Sequence, residues 1–188
     1  MARPLSEDKK DAILAAAIEL VAVMGTGAPT AKIARRAGVA EGTLFKYFPD
    51  KDALLAATFL DLEGELAKAL VAGVPAGLAP KERIRHIWNR LIDWSAGNPT
   101  RLKALRQLKV SDRIGPESRR CGEAFFADFK ALLDEALAGH VERLSIDFIG
   151  AVLTALAEIT LDFIARDPGR HDHHRAIGFD TFWRAIGR

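Results

Sequence analysis

The sequence predicts an all-α protein in two parts, a small N-terminal three-helix domain over residues 1–50 joined to a larger helical domain over 51–188. Three observations predict it. Apolar residues recur at helical spacing through nearly the whole chain, with no alternating strand pattern. Glycine, proline and small polar clusters fall at intervals that suit helix joints. With 188 residues and 49% hydrophobic composition, the chain can bury a sizeable core in one or two small domains.

The elements follow in order. Ser6 stands where an N-cap belongs, with Glu7 and Asp8 favourable to the helix dipole. Ile13, Leu14, Ala17, Leu20, Val21 and Met24 form an apolar stripe before Gly25 ends the helix. Thr30 is placed to cap a second, two-turn helix whose Ile33, Ala34 and Ala37 face inward, while Lys32, Arg35 and Arg36 face out. Gly38 sits where a left-handed C-terminal residue is wanted. After Val39-Ala40 a third helix turns Leu44 and Phe48 inward and leaves Glu41, Thr43, Lys46, Phe45 and Tyr47 outward. A fourth begins near Asp50 and runs toward Leu70, and VAGVPAGLAP at 71–80 reads as a linker. Further helices are predicted near 81–96, 99–112, 117–138, 141–166 and 171–186.

Two short helices around a glycine-centred turn, the second with a small-residue outer face, are what the major groove of double-stranded DNA admits. The net charge of +2 argues little by itself; residues 1–51 carry eight Lys/Arg against six Asp/Glu, so the whole excess lies in the N-terminal quarter, and the case rests on where the cations sit on the helix faces. Thr30, Ile33, Ala34, Ala37, Gly38, Val39, Gly42, Leu44, Tyr47, Phe48, Lys51, Leu54 and Leu55 together resemble, without a gap, the DNA-binding segment of TetR/AcrR transcriptional regulators. Ala40 departs from it by lacking a capping hydroxyl, and Phe45 by lacking a phenol.

That resemblance implies a helix-turn-helix DNA-binding domain and a C-terminal domain for ligand binding and dimerisation. It implies that Thr30, Tyr47 and Lys51 touch DNA phosphates. Lys32, Gly42, Thr43, Phe45 and Lys46 complete the expected DNA-binding set: Lys46 for a phosphate or guanine, Thr43 for a thymine methyl or base edge, and Gly42 for close approach. A palindromic operator, a homodimer through the last two helices and a small apolar or amphipathic effector of unknown identity are further implications, with repression the expected outcome. The residues offer an effector only a loose pocket, from Trp88, Trp94, Arg106, Phe125 and Phe129, with Phe126 and His86 nearby candidates. For any one of these rings ordinary core packing is the better reading.

In 141–166, Leu144, Phe148, Val152, Leu156, Ile159 and Phe163 read as one stripe, widened by Ile149, Leu153 and Thr160 beyond one core face. The last helix adds Ile177, Phe179, Phe182, Trp183 and Ile186. Such extra apolar surface suits a partner helix. His171-Asp172-His173-His174 reads as a solvated loop rather than a metal site, because adjacent residues cannot all turn toward one ion. Cys121 is the single cysteine, which excludes an intrachain disulfide; a thiol sensor there has nothing beside it but Arg119 and Arg120. No nucleophile elbow, phosphate-cradling loop or metal-helix motif is present, so no enzyme, metal or cofactor is expected. No apolar run approaches a membrane span and no signal-peptide core is seen, so the expected location is the cytoplasm. The alternative is a module of the same fold that binds lipid or another small molecule and does not act on DNA.

Overall fold

The computed structural model describes residues 6–137 and 145–186. Among them lie ten α-helices and no strand: α1 (Glu7–Met24), α2 (Thr30–Arg36), α3 (Glu41–Tyr47), α4 (Lys51–Val71), α5 (Pro80–Gly97), α6 (Pro99–Lys109), α7 (Pro116–Ala124), α8 (Ala127–Leu137), α9 (Ile146–Arg166) and α10 (His171–Ile186). The chain divides into two compact units, one drawn from Met1–Glu65 and Pro99–Phe125, the other from Leu66–Asn98 and Phe126–Arg188.

In the first unit α1, α2 and α3 close around Ile13, Leu14, Ala17, Ala28, Ile33, Ala34, Leu44 and Phe48, joined by Leu54 of α4. Ile13, Ile33 and Leu44 lose all contact with solvent; each such side chain stabilises the unit by about 1.5–3 kcal/mol of apolar burial. The α1 stripe is wider than expected, since Ala16, Ile18 and Ala22 are also buried, while Met24 at its end is exposed. Ser6 takes the extended N-cap conformation without its hydroxyl accepting a bond. Gly25 ends α1 at φ 67°, a left-handed backbone that glycine adopts without a Cβ clash.

The cap at α2 is a correction. Pro29, at φ −68° and ψ 135°, is the N-cap, and Thr30 is already helical. Gly38 at φ 70° lets the Val39 N–H reach back to the Ala34 carbonyl at 3.0 Å, which closes α2. Ala40 precedes α3 in extended conformation without a side-chain cap. Asp50 supplies the cap at α4, where its carboxylate accepts the Ala53 N–H at 2.7 Å. In the same unit α6 buries Ala104, Leu105 and Leu108. It ends at Lys109, short of 112, and the Arg119 guanidinium ties the following loop through the carbonyls of Lys109, Ser111 and Ile114. The helix expected over 117–138 is two helices, because a tight bond from Phe125 N–H to the Gly122 carbonyl ends α7 before α8 restarts at Ala127.

The second unit packs α5, α8, α9 and α10. Trp88 of α5 is completely enclosed, stacked on Phe182 and edge-on to Phe179, with its indole N–H donated to the Arg175 carbonyl at 2.9 Å. Gly178 of α10 permits this approach: a Cβ there would lie 2.6 Å from Trp88 Cζ2 and would collide with the Thr160 hydroxyl. The start of the predicted helix at 141, with Leu144, lies outside the described residues. Within them α9 opens at Ser145, whose hydroxyl accepts the Phe148 N–H.

The two apolar faces of α9 are reversed relative to the sequence reading. Ile149, Leu153, Ala157, Thr160, Leu161 and Ile164 are buried, whereas Phe148, Ile159 and Phe163 are 54%, 53% and 49% exposed. Helical spacing defines two stripes but does not say which one meets α5 and α10. By length and mean hydropathy alone α9 is long and apolar enough to cross a membrane. Its apolar run is nevertheless interrupted by Asp147, Glu158 and Asp162. His171-Asp172-His173-His174 forms the first turn of α10 rather than a loop. His171 contacts Asp93 at 3.1 Å and Asp172 pairs with Arg175 at 2.8 Å, so this turn is fastened to α5 and to itself.

Candidate nucleic-acid interface

The candidate interface is built on α2 and α3, whose buried residues leave one continuous outer surface. Leu44 and Phe48 anchor α3, so Gly42 and Lys46 point directly away from the core, with Phe45 beside them at 41% exposure. Gly42 has open space where a Cβ would stand. Thr43 is half-buried on the flank. Lys32 and Arg35 are exposed on α2. Arg36 is not available in the same way, because its guanidinium holds the Glu19 carboxylate of α1 at 2.6 and 3.0 Å.

Two of the three expected phosphate ligands prove to have intramolecular hydrogen-bond partners. The Thr30 hydroxyl donates to Glu41 Oε1 at 2.6 Å, linking the first residue of α2 to the first of α3. A hydroxyl has one proton, so in this arrangement Thr30 has none left for a phosphate oxygen. Tyr47 is half-buried against the core, and its phenol oxygen accepts the Ser6 N–H at 3.0 Å. Acceptance leaves the phenol proton unspent, so Tyr47 can still donate to a phosphate.

Lys51 stands at the start of α4 beside Asp52, which pairs with Arg113 at 2.7 Å. Burial first, and then the Arg113 guanidinium, lower the Lys51 pKa from its ordinary value, with Asp52 opposing them. Arg113 lies 62 positions from Lys51 along the chain, and no local pattern in the sequence announces the contact.

The candidate pocket residues are distributed over both units. Trp88 is an enclosed core residue, Phe129 is buried and paired edge-on with Phe126, and Trp94 is half-buried on α5. Arg106 is half-buried on α6, while Phe125 is 47% exposed at the end of α7. His86 contacts the Ala72 carbonyl at 3.2 Å. Cys121 is exposed. Among the described residues no group of three His, Cys, Asp or Glu side chains is placed to hold a metal ion.

A short helix, a left-handed glycine and a second helix with an exposed polar face define a helix-turn-helix head in an otherwise helical chain. The family model for bacterial regulatory proteins of the tetR family matches residues 13–58, which run from α1 into α4. The chain is 38% identical over 77 residues to the HTH-type transcriptional regulator BetI of Rhizobium meliloti, a stretch covering 40% of this chain and 38% of that one. The match thus spans well under half the length of that curated relative. A solved structure assigned to the tetR family of transcription regulators, from Shewanella sp. PV-4, superposes with a TM-score of 0.86 at 28% identity, over 96% of this chain and 98% of that one. The regulator FadR of Bacillus subtilis, solved in complex with stearoyl-CoA, shares the fold at a TM-score of 0.72 and 19% identity, over 94% of this chain and 97% of that one. Residues 13–58 thus carry the DNA-binding segment of the tetR family, and the chain has the fold of solved structures assigned to TetR-family transcription regulators.

Proposed function

We propose that the chain is a ligand-responsive repressor that reads a palindromic operator as a homodimer and leaves it when a small apolar or amphipathic effector binds. The exposed outer face of α3, with Gly42, Thr43, Phe45 and Lys46 presented on a packed Leu44 and Phe48, carries this reading. Residues 1–50, together with Lys51 at the start of α4, supply the DNA contacts. Lys32, Lys51 and the spare phenol proton of Tyr47 meet phosphates, and Thr43 and Lys46 meet base edges.

Residues 51–188 supply effector binding and dimerisation. The outward stripe of α9, Phe148, Ile159 and Phe163, continues onto Ile177 of α10, and between the two helices lies a groove of about 330 Å³. Aromatic and aliphatic side chains half in water favour a second copy, and a two-fold pair would present two reading heads to two half-sites. The stearoyl-CoA held by the FadR structure of the same fold supports an effector with a long apolar part. Within the second unit, Trp94 and Phe129 are the proposed contacts to it. Trp88, with its indole bonded and all its surface covered, is a core residue and not a proposed contact. Release requires only that the effector bind the DNA-incompetent arrangement more tightly.

Selection of genomic fragments on the purified protein, followed by anisotropy titration of the enriched site across a salt series, tests the reading. A palindromic sequence bound as a dimer far above random DNA, with steep loss on adding salt and weaker binding in the presence of long-chain acyl-CoA, is the expected result. No enrichment over random DNA, with lipid extracted from the protein's interior, would favour a binding module that does not act on DNA.

A further inference from the structure

We infer that Glu41 reads a base, selecting cytosine at one position of each half-site, with its carboxylate held in place by Thr30. This rests on the operator-binding reading above. Glu41 opens the reading helix α3, is exposed, and has no side chain beside it at Gly42 to shield it. The opening residues of a recognition helix are those that reach base edges. An acidic side chain is unexpected there, because phosphates repel it and it lowers affinity for DNA of any sequence.

The hydrogen bond from Thr30 accounts for half of the carboxylate. Oε1 accepts the Thr30 proton at 2.6 Å, which fixes the rotamer of a side chain that would otherwise be free to turn away from the groove. Oε2 is left as a positioned acceptor. Of the base edges in the major groove, the cytosine N4 amino group offers a donor without an adjacent acceptor on the same base. Adenine offers N6 beside an N7 that repels a carboxylate, and guanine and thymine offer no amino donor there. A base without a donor leaves the charge desolvated and unpaired, so the residue acts more by rejecting other bases than by tightening the right one.

Operator selection from randomised DNA, run in parallel with the wild type, Glu41→Gln and Glu41→Ala, tests this. The wild type should require cytosine at one position per half-site, with about tenfold weaker binding for another base there. Glu41→Gln keeps the Thr30 bond through its amide carbonyl and replaces Oε2 by an amino donor. The preference should therefore move to guanine, whose O6 and N7 accept, and affinity for random DNA should rise. Glu41→Ala should accept all four bases at that position. Identical preferred sequences for all three proteins would overturn the assignment while leaving the regulator reading intact. No selection by the wild type would overturn the regulator reading itself, and this assignment with it.

Discussion

The phenol oxygen of Tyr47, on the reading helix, accepts the backbone N–H of Ser6 at the head of α1, 41 positions earlier, at 3.0 Å. One side chain thereby ties the start of the supporting helix to the end of the reading helix while its own proton stays available to DNA. Tyr47→Phe should lower stability by about 0.5–1.5 kcal/mol, the net worth of one such bond. It should also weaken specific and random DNA by the same few-fold factor. Urea unfolding and anisotropy titration would check both.

Lys51 and Thr43 should divide the work of binding. Lys51→Ala is expected to weaken binding to all sequences and to reduce the slope of log affinity against log salt by about one. Thr43→Ala should mainly relax choice among sites. Titrations on selected and scrambled duplexes separate the two; equal effects on both duplexes for both variants would refute the division.

The lowered Lys51 pKa gives that contact an alkaline limit. In the free protein Lys51 loses its proton at lower pH than an ordinary lysine, and a phosphate beside it raises the pKa again, so the complex takes up a proton. Affinity should be level below the free-state pKa, fall as pH rises above it, and level off beyond the raised value in the complex. Lys51→Arg keeps its charge throughout and should move the onset of that fall to higher pH, as read by anisotropy across an alkaline pH series.

The outward face of α9 should hold the dimer together. Ile159→Asp and Phe163→Asp alter side chains that are half exposed in one chain, so the fold should survive with little change in melting temperature. Sedimentation equilibrium should show monomers, and operator affinity should fall steeply because one reading head remains. Dimers persisting in both variants would place the partner surface elsewhere.

Gly178 has a packing role that its helix propensity would not suggest. Alanine is the better helix former, yet a Cβ at this position would collide with Thr160 and lie 2.6 Å from Trp88. Gly178→Ala should therefore destabilise the bundle by about 1–3 kcal/mol, measured as a lower urea midpoint.

The reading helices were legible in the sequence because everything that defines them is local. Apolar spacing at Ile33, Ala34, Leu44 and Phe48, and a glycine at the one left-handed position between the helices, act over a few residues each. The same locality explains the errors. Thr30 looked like a cap because its type suits one, but Pro29 already held the extended backbone that an N-cap needs. The break at Phe125 has only Gly122, inside a helical apolar pattern, to mark it, and a lone glycine there does not by itself end a helix.

By itself the sequence determined an all-α chain, its principal helices and the placement of a helix-turn-helix near the N-terminus, since backbone hydrogen bonding and side-chain period are properties of neighbours along the chain. Only the tertiary structure decided which stripe of α9 is covered, that the Thr30 proton goes to Glu41, that Tyr47 meets Ser6, and that Arg113 stands close enough to Lys51 to lower its pKa. Each of these depends on which surfaces meet when helices pack. Packing energy is shared among many distant side chains, so no single stretch of sequence carries it.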